Sequence, residues 1–391
     1  MTNIELRVRL LCAILSHCNE KQEWAVDYFR SYAAEDWLQL LTLANRTWLG
    51  TSLAHTLQEL SLWTELDEEL KAYLQSLVVF SRHRNQSIKE HAIQLQNLMR
   101  QHGIEIIWLK GGSALFNGID KPVGRRWMMD LDLLVHENEI DRVLKILQQH
   151  DYHPSALLDD PLWKHGHHAP GMHTPDHQLN IEVHFRLFDD NFNAILPREL
   201  CFQYSQTLNL DGIEGRELSP TEQIVHTLIH DQLAHKNWNH KTIHLRQLIH
   251  LSWLINHFQS EIDWEKIQIQ INHPDMLECI LYVCWVLMGL NTPLTDQQSK
   301  SGQRYWQHCL QRQSEEKHLL HFRFFNRLVK SFQPASINNR YQPKSVYGWA
   351  RAYFHHVQGL LSRRKNFESR QKMRQFRTAV EQNLTWRLEA D

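Results

Sequence analysis

The stretch that decides the fold is Trp108–Val135, "WLKGGSALFNGIDKPVGRRWMMDLDLLV". The chain has only 14 glycines in 391 residues, yet two adjacent ones follow Lys110 here. Immediately upstream, "IEIIWL" is short, β-branched and bounded by glycines, the pattern of a buried strand. "GGSALF" then begins a short helix, and "DLDLLV" alternates as a second strand. A strand that runs into Gly-Gly-Ser and a helix suits anion binding. Glycine lets the backbone approach an anion closely, and a new helix offers free N–H groups. Gly111, Gly112 and Ser113 are therefore candidate phosphate-binding residues, with Lys110 adding charge. Taken alone, such a turn is more often simply a tight turn.

The aspartates add a second signal. Residues i and i+2 of a strand share a face, so Asp130 and Asp132 project together. Two adjacent carboxylates on an apolar strand repel each other and are costly near a core. A divalent cation removes that penalty, and hard oxygen ligands of this kind suit Mg²⁺ held between carboxylates and substrate phosphates. The bland alternative, an edge strand with its acids in solvent, sits badly with the following "LLV".

A third strand is expected in "LNIEVHFRLF". Leu179, Ile181, Val183, Phe185 and Leu187 face one way; Asn180, Glu182, His184 and Arg186 face the other. Glu182 joins the aspartates if this strand lies beside theirs. Three carboxylates around two metal ions is an arrangement for in-line phosphoryl transfer. His184 shares the face of Glu182, where it orients an acid, contacts a phosphate or is simply structural.

Outward from this centre the chain is helical. Residues 4–100 hold no proline and one glycine, Gly50, with apolar residues at three- and four-residue spacing. "NEIDRVLKILQQHDY" reads as an amphipathic helix, followed by a loop carrying His165, His167, His168, His173 and His177. From "SPTEQIVHTLIHDQLAH" helical spacing resumes, with Ser219 as a cap, Pro220 in the first turn and Glu222 as a first-turn acid. Between Arg340 and Arg377 lies a basic, aromatic stretch with one acid, Glu368. The division is an N-terminal helical region, 1–100, an α/β core, 101–215, and a C-terminal helical region, 216–391, an α+β organisation.

Composition excludes several classes. Hydrophobic residues are 42% and charged residues 22%, enough apolar material for a large core. A formal net charge of −2 gives no polyanion-binding signal for the whole molecule. The six cysteines form no CxxC pair and read as reduced thiols of a cytoplasmic protein. The longest apolar run, "ILYVCWVLMGL", is too short to span a bilayer, and "LLCAIL" near the start lacks a cleavage site.

Gly-Gly-Ser, then Asp-x-Asp on a strand, then a distant acid on a strand resembles the nucleotidyltransferase superfamily with the DNA polymerase β-like core. Within it, "LKGGSALF", "RRWMMDLDLLV" and "IEVHFRL" resemble an uncharacterised bacterial nucleotidyltransferase family. The resemblance implies a small mixed-sheet polymerase-β-like core flanked by helical regions. It implies that Asp130, Asp132 and Glu182 are catalytic metal ligands for Mg²⁺, with two ions. It implies that Lys110, Gly111, Gly112, Ser113, Arg126 and His184 contact a nucleoside triphosphate such as ATP. The specific motifs cover about residues 108–187. The chain departs from the pattern in having glutamate as third acid, where aspartate is common, and in the long interval before it.

The expected activity is transfer of a nucleoside monophosphate to an acceptor hydroxyl, with release of pyrophosphate. The acceptor (small molecule, protein or RNA) and the oligomeric state are open. The alternative is an inactive binding module on the same fold, or a toxin–antitoxin component. A zinc site is a weaker reading: His226 and His230 share a helix face, but no Glu follows His226, and His230-Asp231 lacks partners. The basic stretch suits RNA or an anionic membrane, or a solvated helix face; Arg351 and His356 have a spacing too short to be informative.

Overall fold

The computed structural model describes residues 3–312, apart from 159, 160, 176–178 and 190. The basic stretch with Arg351 and His356, and His177 of the histidine-rich loop, lie outside the described residues. Five helices precede the first strand: Asn3–Ile14, Asn19–Phe29, Ala34–Arg46, Gly50–Glu59 and the long Glu68–Gln101. The last begins at Asp67, whose side chain accepts from the Leu70 amide, an N-cap that satisfies one of the free amides of the first turn.

Seven strands follow: β1 (Ile106–Leu109), β2 (Asp130–Val135), β3 (His153–Pro154), β4 (Met172–His173), β5 (Asn180–His184), β6 (Ser205–Leu210) and β7 (Ile213–Leu218). They form one mixed sheet in the order β3-β4-β5-β2-β1-β7-β6. β2 runs antiparallel to β1 and parallel to β5; β7 runs parallel to β1. Helix Pro220–Leu228 starts after Ser219, with Pro220 at the first position; Ser219 holds the N-cap position without bonding a helix amide, its hydroxyl donating instead to Glu222 Oε2. It is followed by Leu245–Phe258 and Pro274–Met288.

The sheet is larger than the sequence reading foresees. The hairpin β6–β7 was missed, although its signal is present: Asp211-Gly212 joins two runs that pair from Ser205↔Leu218 to Leu210↔Ile213. Both turn residues have positive φ, +52° and +97°, as a two-residue hairpin turn requires. The third expected strand is shorter than its alternation suggests. It ends at His184 because the amides of Phe185 and Arg186 both donate to the His167 carbonyl, at 3.1 and 3.2 Å.

The pleat divides the molecule into two apolar layers. Ile106, Trp108, Leu131, Leu133, Val135, Ile181 and Val183 pack on one side with Ile88–Met99 of the long helix and with helix Ile140–Gln149. Ile107, Leu109 and Leu134 face the other side. There they meet a single cluster built by both helical flanks, from Val8 and Leu53 to Leu251 and Ile280. The two flanks therefore share one core on one face of the sheet. Asp130, Asp132, Glu182 and His184 alternate with the first layer, so they point to the face that the flanks cover.

Among the described residues no helix is long and apolar enough to cross a membrane. All six cysteines are free, five of them buried. Trp108 has no exposed surface, and its indole N–H donates to Gln96 Oε1 at 2.8 Å. Trp108→Ala is expected to cost about 3–5 kcal/mol, measured by urea unfolding.

Candidate functional site

β2 and β5 lie side by side in parallel, with Asp132 opposite Glu182 and Asp130 opposite Asn180. On the other flank Leu109 stands opposite Asp132, so Lys110 leaves β1 next to that carboxylate. Lys110 adopts positive φ, +49°, and its ammonium reaches Asp132 Oδ1 at 2.7 Å. His184 Nε2 meets the same oxygen at 2.9 Å, and Glu182 Oε2 at 3.8 Å. Donor atoms of Asp132, Glu182 and His184 lie within 4.8 Å of one another. Asp130, two residues along the same face, is half-buried at the strand end.

The charges are strongly perturbed. Burial pushes the Asp132 carboxyl up, but Lys110 and His184 together hold it well below the usual range. Burial and the charge of Asp132 raise both Asp130 and Glu182. Burial lowers His184 to about 4, although its bond to Asp132 opposes the shift. The set thus holds excess negative charge with one lysine to offset it. An oxygen-rich cluster of this kind fits a hard divalent cation, and a cation would relieve the repulsion that lifts Asp130 and Glu182.

The Gly-Gly-Ser turn sits under this cluster and is buried. A Cβ on Gly111 would stand 2.9 Å from Met128 Cε, and one on Gly112 would stand 3.2 Å from Trp108 Cε3 and 3.4 Å from the Asp132 carbonyl oxygen. The glycines therefore let helix Gly111–Asn117 lie close against β2. The Ser113 hydroxyl donates to the Lys110 carbonyl at 3.0 Å.

Arg126 belongs to a separate group. Its Nη1 meets His250 Nδ1 at 2.8 Å, and its Nε lies 3.9 Å from Asp120 Oδ2. His250 lines both the cleft beside Arg126 and the cleft beside Lys110 and Ser113. Of the histidine-rich loop, the rings of His167 and His168 stand 5.5 and 5.2 Å from that of His184. His173 is in β4, opposite Asn180 and so one strand beyond β5 in the row of Asp130, and His165 ends the short turn Pro161–His165.

The segment that carries Arg126 to β2 is held through its backbone. The carbonyls of Gly124, Arg125, Arg126, Trp127 and Met128 accept from Ser81, from Thr51 and Ser52, from Asn85, from Arg246 and from Arg84, respectively. The donors come from helices Gly50–Glu59, Glu68–Gln101 and Leu245–Phe258, so both flanks grip the loop. Gly124 needs its positive φ of +99°, and a Cβ there would lie 2.7 Å from the Arg82 amide nitrogen.

Sequence reasoning missed Arg246, His250, Asp120 and Arg84. A signal for two of them was available. Arg246, His250 and Trp253 recur at helical spacing with Ile249, placing charged and polar groups on an apolar stripe. The His230-Asp231 pair is explained locally: Asp231 Oδ1 accepts from Asn237 Nδ2 and from His244 Nδ1, both at 2.9 Å. These bonds pin the turn after the helix, although Asp231, His235 and His244 form a second group of donor atoms within 4.8 Å.

The buried histidine gives a pH prediction. His184 ordinarily titrates near 6.5 and in the fold near 4, so the unfolded chain binds more protons between these values. Stability is therefore lost as pH falls from 6.5 towards 4. His184→Gln is expected to flatten that slope in thermal unfolding followed across the window.

A family model described as uncharacterised nucleotidyltransferase matches residues 33–289. No curated protein matches the chain. Among solved structures, the solution structure of the antibiotic-resistance factor ANT(2'')-Ia is similar at 13% identity, over 48% of this chain and 90% of that one, with a TM-score of 0.31. The crystal structure of an antigenic nucleotidyltransferase-like protein from Paracoccidioides brasiliensis is similar at 16% identity, over 51% and 92%, also with a TM-score of 0.31.

Proposed function

Since the chain belongs to the family of uncharacterised nucleotidyltransferases, we propose that it transfers a nucleoside monophosphate from a nucleoside triphosphate to an acceptor hydroxyl, in a Mg²⁺-dependent reaction. The observation that carries this reading is the parallel pairing that sets Asp132 beside Glu182, with Asp130 on the same face. We take β1, β2 and β5 with helix Gly111–Asn117 as a polymerase-β-like core, and the protein as cytoplasmic.

Asp130, Asp132 and Glu182 would hold the divalent ions, which supply charge neutralisation at the transferring phosphoryl group. Lys110, which contacts Asp132 in this structure, is placed to swing its ammonium onto a phosphate oxygen. The turn Gly111–Ser113 supports the lysine from below, and Arg126 offers charge from the adjoining cleft. His184 holds the Asp132 carboxylate in a fixed orientation from a fully buried position. The acceptor oxygen forms a bond to the α-phosphorus, the bond to the bridging oxygen breaks, and pyrophosphate leaves. Glu182, the most accessible of the three facing groups Asp132, His184 and Glu182, takes the proton of the hydroxyl.

Two measurements test the reading. Thermal unfolding with ATP, GTP, CTP and UTP is expected to show a Mg²⁺-dependent shift with at least one of them, lost in Asp130→Ala/Asp132→Ala. A ligand at one hundred times its dissociation constant stabilises by about 2.7 kcal/mol. Transfer of label from the α-phosphate is expected to fall about 10²–10³-fold or more in Asp132→Asn. Nucleotide binding with unchanged transfer in that variant would sink the catalytic assignment. Absence of any nucleotide shift would favour an inactive binding module.

A further inference from the structure

Beyond the three acids, the described residues hold a second charged cleft. Its walls are Trp48, Ser52, Arg126, Arg246, His250 and Trp253. Arg246 comes from helix Leu245–Phe258 and donates through Nη2 to the Trp127 carbonyl at 2.7 Å. Arg126 donates towards His250 at 2.8 Å. The Nε atoms of both arginines are buried without a hydrogen-bond partner.

Both guanidinium groups line the one cleft. Burial, and after it the positive charge of Arg126, lower Arg246 to about 10. Asp120 Oδ2 lies 3.9 Å from Arg126 Nε, and neither Asp120 oxygen has a hydrogen-bond partner. Burial raises Asp120 despite the arginines. Asp130 also feels both arginines but lies outside the cleft, so the two guanidinium groups that line it outnumber the one carboxylate paired with them.

We propose that Arg246 and Arg126 form an oxyanion subsite for a phosphate-bearing group beside the acid cluster, closed on its outer side by Trp48. This deepens the nucleotidyltransferase reading and rests on it for the identity of the ligand. Arginine suits the role because its planar fork meets two phosphate oxygens at once. The cleft holds little free space in this structure. Trp48 is the outer wall: the residue is 46% exposed, and its ring stacks on Trp127 at 6.5 Å between centroids. It also stands at positive φ, +61°, a rare conformation for a bulky residue. The group bound is either the distal phosphates of the donor or a phosphate on the acceptor, and both present the same oxyanion.

The test uses inorganic pyrophosphate and the full chain, in Mg²⁺-free buffer with a chelator, by titration calorimetry. One pyrophosphate is expected to bind per chain. Arg246→Gln and Arg126→Gln should each weaken it at least tenfold, and Arg246→Lys should fall between. Asp130→Asn should leave binding equal or tighter, because it removes negative charge from the arginines' surroundings. Melting of each unliganded variant separates loss of the site from loss of the fold, and Arg246→Lys keeps a donor for the Trp127 carbonyl. Competition between pyrophosphate and a nucleoside triphosphate would assign the subsite to the donor's tail; simultaneous binding would assign it to the acceptor. No binding to the wild type, or equal binding by Arg246→Gln, overturns the proposal. Label transfer without pyrophosphate binding would leave the nucleotidyltransferase reading standing alone; pyrophosphate binding without transfer would do the reverse.

Discussion

The structure depends on how one buried carboxylate is satisfied. Asp132 is 4% exposed and sits on β2, which is central in the sheet. An unpaired charge there would cost several kcal/mol. Lys110 and His184, which arrive on the two strands that flank β2, converge on a single oxygen of it. That convergence fixes local details on both sides. Lys110 must turn back in a left-handed conformation, and β5 must run parallel to β2 with its even-numbered residues facing the flanks. The same contacts hold the carboxylate ionised, the state that a divalent ion requires.

A second constraint comes from the backbone between Gly124 and Met128. Five successive carbonyls in a non-repetitive segment need partners, since buried polar groups without them are costly. Side chains from both helical flanks supply them. The flanks are thus part of the site's construction: they fix the approach to Asp130, and Leu245–Phe258 adds Arg246 to the neighbouring cleft. This also explains why both flanks share one apolar cluster on the face to which the acids point.

Much of this was legible in the sequence because it follows from short-range rules. The alternation of "DLDLLV" and "NIEVH" put the acids on the polar side of each strand. The change from helical spacing to "IEIIWL" marked β1, and Ser219-Pro220 marked the start of a helix. The five-residue length of β5 was not legible, because strand alternation continues to Leu187 and only the contacts of His167 stop it. The helical spacing of Arg246 and His250 was visible, but their place in the site was not, because their partners lie more than a hundred residues away, at Trp127 and Arg126. The β6–β7 hairpin was legible in Asp211-Gly212 and simply went unread. The glycines at 111 and 112 were read for anion binding; what the sequence did not show is that they also pack closely against Met128, Trp108 and β2.

The central claim is that the acids on β2 and β5 hold a divalent ion for nucleotide chemistry. Mn²⁺ suits the same oxygen donors as Mg²⁺ and is visible by electron paramagnetic resonance. The decisive measurement is Mn²⁺ binding in the presence of a non-hydrolysable nucleoside triphosphate analogue, for the wild type and for Asp132→Asn. The variant keeps a side-chain oxygen for Lys110 and His184. The account predicts that the wild type binds Mn²⁺ and that the variant binds it at least ~10²-fold more weakly. Equal affinity in the two proteins would contradict it.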